Sequence, residues 1–248
     1  QIEGVSVDYW KKWFDSFSKC VRYFSALSEK LSFDGLIIGA EYFGTEGRSE
    51  DWNRMIGIAR EYYGGPITYE FTPASRKQNK LEWFSALDFL SYSYYPPACP
   101  QSFIDNPEDV PNYTKDEMKE YLSSRRSKIF EISKTYYNKP IVFTEFGVRS
   151  SHGSIVLPFN FQFSGKYDGQ EQANYLQAAY EVFEDLSVWL GFFLWKWDET
   201  QNRPLYRTDS AGDKGFTLQG KPAEAVFRKL VSKYRKDKSF SNETKKEG

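Results

Sequence analysis

The chain is short of the residues on which several function classes depend. Its 248 residues include two cysteines, Cys20 and Cys99, and one histidine, His152. Two thiols are too few for a disulfide framework, and their spacing matches no zinc or redox motif, so at most one bridge is open to them. A single histidine excludes a histidine-rich metal centre and any catalytic triad that does not use His152. That residue lies in "RSSHGS", a loop composition in which an exposed histidine is expected. Charge of one sign is lacking too. The 33 Lys and Arg against 34 Asp and Glu give a formal net charge of -1, without the basic footprint of a nucleic-acid binder. No segment approaches the roughly 18 consecutive apolar residues of a membrane helix, so no membrane span is expected. An initiator methionine and a signal-peptide pattern are absent as well, so the chain is expected to be a processed or trimmed product. Its compartment is left open. Sequons at Asn112 ("NYT") and Asn242 ("NET") would suit a secreted protein, but so short a motif also arises by chance.

Aromatic residues, by contrast, make up 19% of the chain: 21 Phe, 18 Tyr and seven Trp. Most must be core, but amphipathic rings also suit a carbohydrate site, where apolar sugar faces stack on them. Composition does not separate the two readings.

Helical and strand patterns alternate along the chain. Apolar residues at Trp10, Phe14, Phe17, Val21, Phe24 and Leu27 have helical spacing. The strand "DGLIIGAEYF" follows, then the helix "SEDWNRMIGIAREYY" and the strands "GPITYEFT" and "LDFLSYSYY". After a Pro-rich connection, the helix "TKDEMKEYLSSRRSKIFEISKTYY" opens with a capping-box pair, Thr114 and Glu117. The strand "KPIVFTEFG", the helix "QEQANYLQAAYEVFEDL", the strand "LGFFLWKWD" and a last helix from Pro222 complete the series. Such alternation predicts a parallel α/β sheet. Five strands are visible, whereas a closed (β/α)8 TIM barrel needs eight. The chain therefore reads either as strands 4 to 8 of a barrel or as a smaller open sheet. On the barrel reading, residues 1–236 are the C-terminal portion of one barrel and residues 237–248 a charged, frayed tail.

Two of these apolar strands finish on a carboxylate. Glu41 follows Leu36–Ala40, and Glu145 follows Ile141–Thr144. The C-terminal edge of a parallel sheet is where ligands bind, and two strands lie between the pair. Facing carboxyls are what glycoside hydrolysis requires: one protonates the leaving oxygen, and the other attacks or stabilises the anomeric carbon. Strict alternation would put Trp195 and Trp197 on one face of the last strand. A tryptophan there suits the floor of a sugar subsite, and core packing accounts equally well for one of the two. Alternation likewise groups Tyr95 with Ser91 and Ser93, with Tyr92 and Tyr94 on the opposite face. A tyrosine hydroxyl near the nucleophile would keep it ionised and oriented, although packing alone also explains a buried tyrosine.

The segments "GLIIGAEYFGTEGRSEDWNRMIGIAREYYGGPITYEF", "LDFLSYSYYPP", "KPIVFTEFGVRSS" and "QANYLQAAYEVFEDLSVWLGFFLWKWD" resemble, in order, those of glycoside hydrolase family 113. The likeness runs from Tyr9 to about Gly220 and implies a retaining (β/α)8 enzyme with two catalytic glutamates, of the β-mannanase type. It implies Glu41 as general acid/base, Glu145 as nucleophile, Trp195 as a sugar platform and Tyr95 as the tyrosine near the nucleophile. Trp197 is carried with them as a substrate-binding candidate. This chain departs from the family pattern at Ser93, where an Asp is usual, at Val148, where an aromatic is usual, and at Thr72, where an Asn is usual. The first three barrel strands are not seen in it. An N-terminal segment or chain completing the barrel is thus an expected partner, beside an oligo- or polysaccharide substrate. Neither metal nor cofactor is implied. The alternative is a non-catalytic carbohydrate- or partner-binding protein on the same scaffold.

Overall fold

The computed structural model describes residues 6–75, 80–197 and 214–243, with side chains in the last helix described through Lys233. Five strands form one sheet: β1 (Leu36–Ala40), β2 (Ile67–Phe71), β3 (Leu90–Ser93), β4 (Ile141–Phe146) and β5 (Trp189–Leu194). They lie side by side in chain order, with β1 to β4 paired in parallel. A doubly wound sheet reverses direction part-way along its strand order; this one does not. Successive crossovers that always step the same way are how a (β/α)8 barrel is wound.

Among the described residues, six α-helices accompany the strands: α1 (Val7–Lys30), α2 (Ser49–Tyr62), α3 (Lys115–Ser123), α4 (Arg126–Thr135), α5 (Gly169–Phe183) and α6 (Pro222–Glu243). The chain forms two compact units. One comprises Gln1–Tyr94, Ser127–Glu145 and Leu186–Phe192; the other comprises Tyr95–Arg126, Phe146–Asp185 and Phe193–Gly248.

In the first unit, Ser6 caps α1 by accepting the Tyr9 N–H. The buried stripe of α1 is Trp10, Phe14, Ser18, Val21, Ser25 and Ser28. Phe24, expected inside, is exposed, because the helical repeat from Phe14 carries Ser25 and Ser28 onto the packed face. Small serines there let the helix approach its neighbours closely. The core of this unit answers the question raised by the aromatic excess. The Trp52 and Trp83 rings stack at 4.9 Å, Tyr69 meets both edge-on, and Phe71 stacks on Tyr92 at 4.6 Å. Tyr92 in turn stacks on Tyr94, the pair that alternation placed together. Most of these rings are fully buried, so most of the aromatic content is packing.

In the second unit α3 begins with the expected capping box between Thr114 and Glu117. The single helix predicted from Thr114 onward is instead two. Ser123 and Ser124 turn their hydroxyls back onto the carbonyls of Lys119 and Tyr121, competing with the helical ladder at the point where α3 stops. Glu181 of α5 binds Lys115 and Lys119 of α3, and those contacts, with Gln177, outweigh burial and lower its pKa to about 2. The backbone of α6 is helical to Glu243, overlapping the predicted tail; residues 244–248 lie outside the described residues. No described helix is long and apolar enough to cross a membrane.

Candidate active site

The carboxylates of Glu41 and Glu145 come together at the C-terminal ends of β1 and β4 in the first unit, with a third between them. Glu41, Glu70 and Glu145 each place an oxygen within 4.8 Å of the others. Two unit charges about 5 Å apart repel by about 3 kcal/mol at an effective dielectric near 20. Three ionised carboxylates would therefore be costly here.

Irregular pairing re-aims both strands just before they deliver these groups. Between β1 and β2, Ile37 pairs with Thr68 but Ala40 with Glu70, so β1 has one residue too many. Between β3 and β4, Tyr92 pairs with Phe143 and Ser93 with Glu145, leaving Thr144 as the extra residue. A bulge of this kind turns consecutive side chains away from strict alternation. Thr144 and Glu145, neighbours in sequence, thus both reach Glu70. Thr144 also shares a 2.7 Å hydrogen bond with Ser91 of β3, and the Tyr94 N–H donates to the Glu145 carbonyl.

Glu41 sits one residue beyond β1 with φ of 55°, in the left-handed region. Its N–H donates to the Glu70 carbonyl at 3.0 Å, and its own carbonyl accepts from Phe43. The segment that follows is tied down by a buried polar network. The Tyr69 hydroxyl accepts the Tyr42 N–H at 2.7 Å and binds Glu46 Oε1 at 3.1 Å, and Ser75 donates to the same oxygen. The Trp83 ring N–H donates to the Glu46 carbonyl. Glu46 is fully buried, and that burial raises its pKa against the lowering effect of the Ser75 and Tyr69 bonds.

Glu70 is the member that reading the sequence missed. It is 5% exposed. Burial raises its pKa to about 7; the Thr144 hydroxyl bond opposes the rise, while the charges of Glu145 and Glu41 add to it. A signal was present in "ITYEFT": Ile67, Tyr69 and Phe71 alternate with Thr68, Glu70 and Thr72. A strand whose five residues are all buried has no solvent face for a charge, so Glu70 had to point into a site or a partner.

The other predicted site residues belong to the second unit. Tyr95 is half-buried with its ring edge-on to Phe216 at 6.3 Å. Trp195 and Trp197 fall after the end of β5 rather than within it, so strand alternation does not govern them. A cis peptide joins Trp195 to Lys196. The Trp195 N–H donates to the Phe146 carbonyl at 2.8 Å. Gly147 is the close neighbour of that turn, since a Cβ there would lie 2.3 Å from the Trp195 carbonyl oxygen. The two indoles are 44% and 38% exposed, so they are not core. Asp198, the end of the "WKWD" segment, lies outside the described residues. His152 is not an exposed loop histidine: its Nδ1 lies 3.2 Å from Glu171 and 3.6 Å from Asp168. These three donor atoms also lie within 4.8 Å of one another. Glu171, however, already accepts the N–H groups of Gly153 and Ile155, which makes the cluster an anchor for the loop before α5.

The sequence model of Glycoside Hydrolase Family 113 matches residues 1–221. The chain belongs to glycoside hydrolase family 113. Among solved structures, a family 113 β-1,4-mannanase is 27% identical with a TM-score of 0.66, over 91% of this chain and 64% of its own. The family 113 β-mannanase of Alicyclobacillus acidocaldarius in complex with ManMIm is 23% identical with a TM-score of 0.70, over 90% and 63%. The β-glucuronidase of Ruminococcus gnavus shares the fold at 17% identity and a TM-score of 0.57, over 88% and 35%. Comparison with curated proteins gave no match. The chain thus spans less than two thirds of the mannanases it resembles, and its five strand units are of the (β/α)8 type.

Proposed function

We propose that this family 113 chain carries the catalytic glutamates of a retaining glycoside hydrolase acting on β-mannan-type polysaccharides. The observation that carries the reading is the approach of the Glu41 and Glu145 carboxyl oxygens to within 4.8 Å. Inverting enzymes hold their carboxyls about 6.5–9.5 Å apart to admit a water, whereas retaining enzymes hold them at about 5–5.5 Å. In this reading Glu41 gives its proton to the glycosidic oxygen while Glu145 attacks the anomeric carbon, forming a glycosyl ester and releasing the leaving sugar. Glu41 then takes a proton from water, whose oxygen displaces Glu145 and restores the starting configuration. The exposed faces of Trp195 and Trp197 are assigned to sugar stacking, and Tyr95 to substrate contact. The substrate class rests on the two mannanases named above.

Reducing-sugar release from β-1,4-mannan, with the anomer formed read by NMR, tests the proposal. Glu41→Gln and Glu145→Gln are each expected to lower turnover by at least about 100-fold without loss of the fold. Wild-type turnover in either variant would overturn the assignment. The exposed indoles also favour a second reading, a carbohydrate-binding protein without catalysis. It predicts saturable calorimetric binding of manno-oligosaccharides with no product after long incubation.

A further inference from the structure

Glu70 has no part in the double displacement, yet the fold spends a central, fully buried strand on placing it between the pair. Its backbone joins both neighbours: its carbonyl accepts the Glu41 N–H, and its residue pairs with Ala40 on one side and Ser91 on the other. Despite its bond with Thr144, its Oε1 has no hydrogen-bond partner among the described residues. An ionised carboxylate with an unsatisfied, buried oxygen beside two further carboxylates is unfavourable on every count: desolvation, repulsion and hydrogen bonding. A neutral acid removes the charge and turns the same group into a donor. The charged groups acting on it are Glu145 from β4 and Glu41 from the end of β1; β3 faces it with Ser91. Among the described residues, no cation is one of them.

We propose that Glu70 is a positioning residue of the carboxylate pair, entering the site as a neutral acid whose O–H is offered to Glu145 and keeps that carboxylate ionised and oriented. This rests on the assignment of Glu145 as nucleophile. It gives the site a proton inventory larger than the two glutamates need: Glu41 holds the proton that is transferred, and Glu70 holds one that stays. Loss of the Glu70 proton on the alkaline side adds a negative charge beside the nucleophile and removes its donor, so Glu70 contributes to the alkaline limb of activity.

The test has two arms, of which the first needs no activity. Carboxyl carbons are followed by 13C NMR in protein labelled at glutamate, with Glu70 assigned by its absence from Glu70→Gln. Its carboxyl should titrate near neutrality in the parent, and its midpoint should fall by about one unit in Glu145→Gln, where the neighbouring charge is gone. A Glu70 that titrates in the ordinary carboxylate range, or whose midpoint is unmoved in Glu145→Gln, would overturn the proposal. In the second arm, mannan hydrolysis is measured against pH. Glu70→Leu should lower kcat by about 10–100-fold with KM changed less than about twofold. Glu70→Gln, which keeps a neutral donor, should recover part of kcat and move the alkaline limb upward. Equal kcat and an unmoved limb in parent, Gln and Leu forms would sink it. Should the Leu variant fail to fold, the Gln variant and the NMR titration still decide. If the parent cleaves no mannan, the glycosidase reading fails, and the carbon titration alone rules on Glu70.

Discussion

Glu41 occupies a backbone conformation that side chains other than glycine rarely take, with φ of 55°. Holding such a residue costs on the order of 1–3 kcal/mol, and the surrounding bonds of Tyr69, Glu46 and Ser75 are what fix the segment that follows it. The strain delivers the carboxyl to the cluster instead of continuing the line of β1. Glu41→Gly is therefore expected to abolish hydrolysis while melting no lower than the parent, with a stability gain of up to about 1 kcal/mol where relief of strain exceeds the added freedom of the unfolded chain. Thermal melts followed by circular dichroism check this. A fall in Tm of several degrees would mean that Glu41 contributes contacts rather than strain. Nothing in "GAEYF" announced that conformation, since the left-handed region is signalled by Gly, Asn or Asp.

At the level of the element, the site depends on how closely β1 and α2 approach. A Cβ on Gly39 would lie 2.9 Å from Trp52 and 3.1 Å from both Tyr42 and Tyr69. Trp52 and Tyr69 belong to the buried cluster that backs the strand and have no room to swing aside, whereas Tyr42 is partly exposed. Gly39→Ala is expected to destabilise the protein by about 1–3 kcal/mol through overpacking and to displace Glu41, two residues on. Urea unfolding with kcat measured in parallel would show both effects; an unchanged midpoint would mean the rings can yield. The elements themselves were readable in advance. The five strands and the capping box at Thr114 come from periodicity and turn chemistry, which act over a few residues. The break between α3 and α4 and the bulges at Ile38–Gly39 and Thr144 were not readable in this way. They depend on competing hydroxyl bonds and on register with a neighbouring strand, and no local pattern encodes either.

At the scale of the molecule, three buried carboxyls among the described residues are held above their ordinary range. Burial is the main cause for Glu46 and Glu70, and for Glu171, where the Gly153 N–H and His152 oppose it. A group raised in this way binds its proton more tightly when folded. Its contribution to stability is complete below the ordinary value of 4.5 and is lost as pH rises through the folded value, about 7 for Glu70. Glu181, lowered to about 2, acts in the opposite sense, but its contribution is already complete above 4.5. The Tm is therefore expected to fall between about pH 5 and about pH 8, and the slope to be shallower in Glu70→Gln. Differential scanning calorimetry across that range checks it; a Tm that climbs toward pH 8 would contradict the burial argument.

The sequence alone determined the alternation of strands and helices, the placing of Glu41 and Glu145 at strand ends, and the likeness to family 113. Each follows from short-range order: apolar period, Gly and Pro punctuation, and motif. Only the tertiary structure decided that a third carboxyl, Glu70, stands within 4.8 Å of both, that His152 lies against the Glu171 and Asp168 carboxylates, and that Trp195 and Trp197 lie beyond their strand. Those facts arise from strand register, bulges and burial, through which residues distant in sequence set one another's charge and direction.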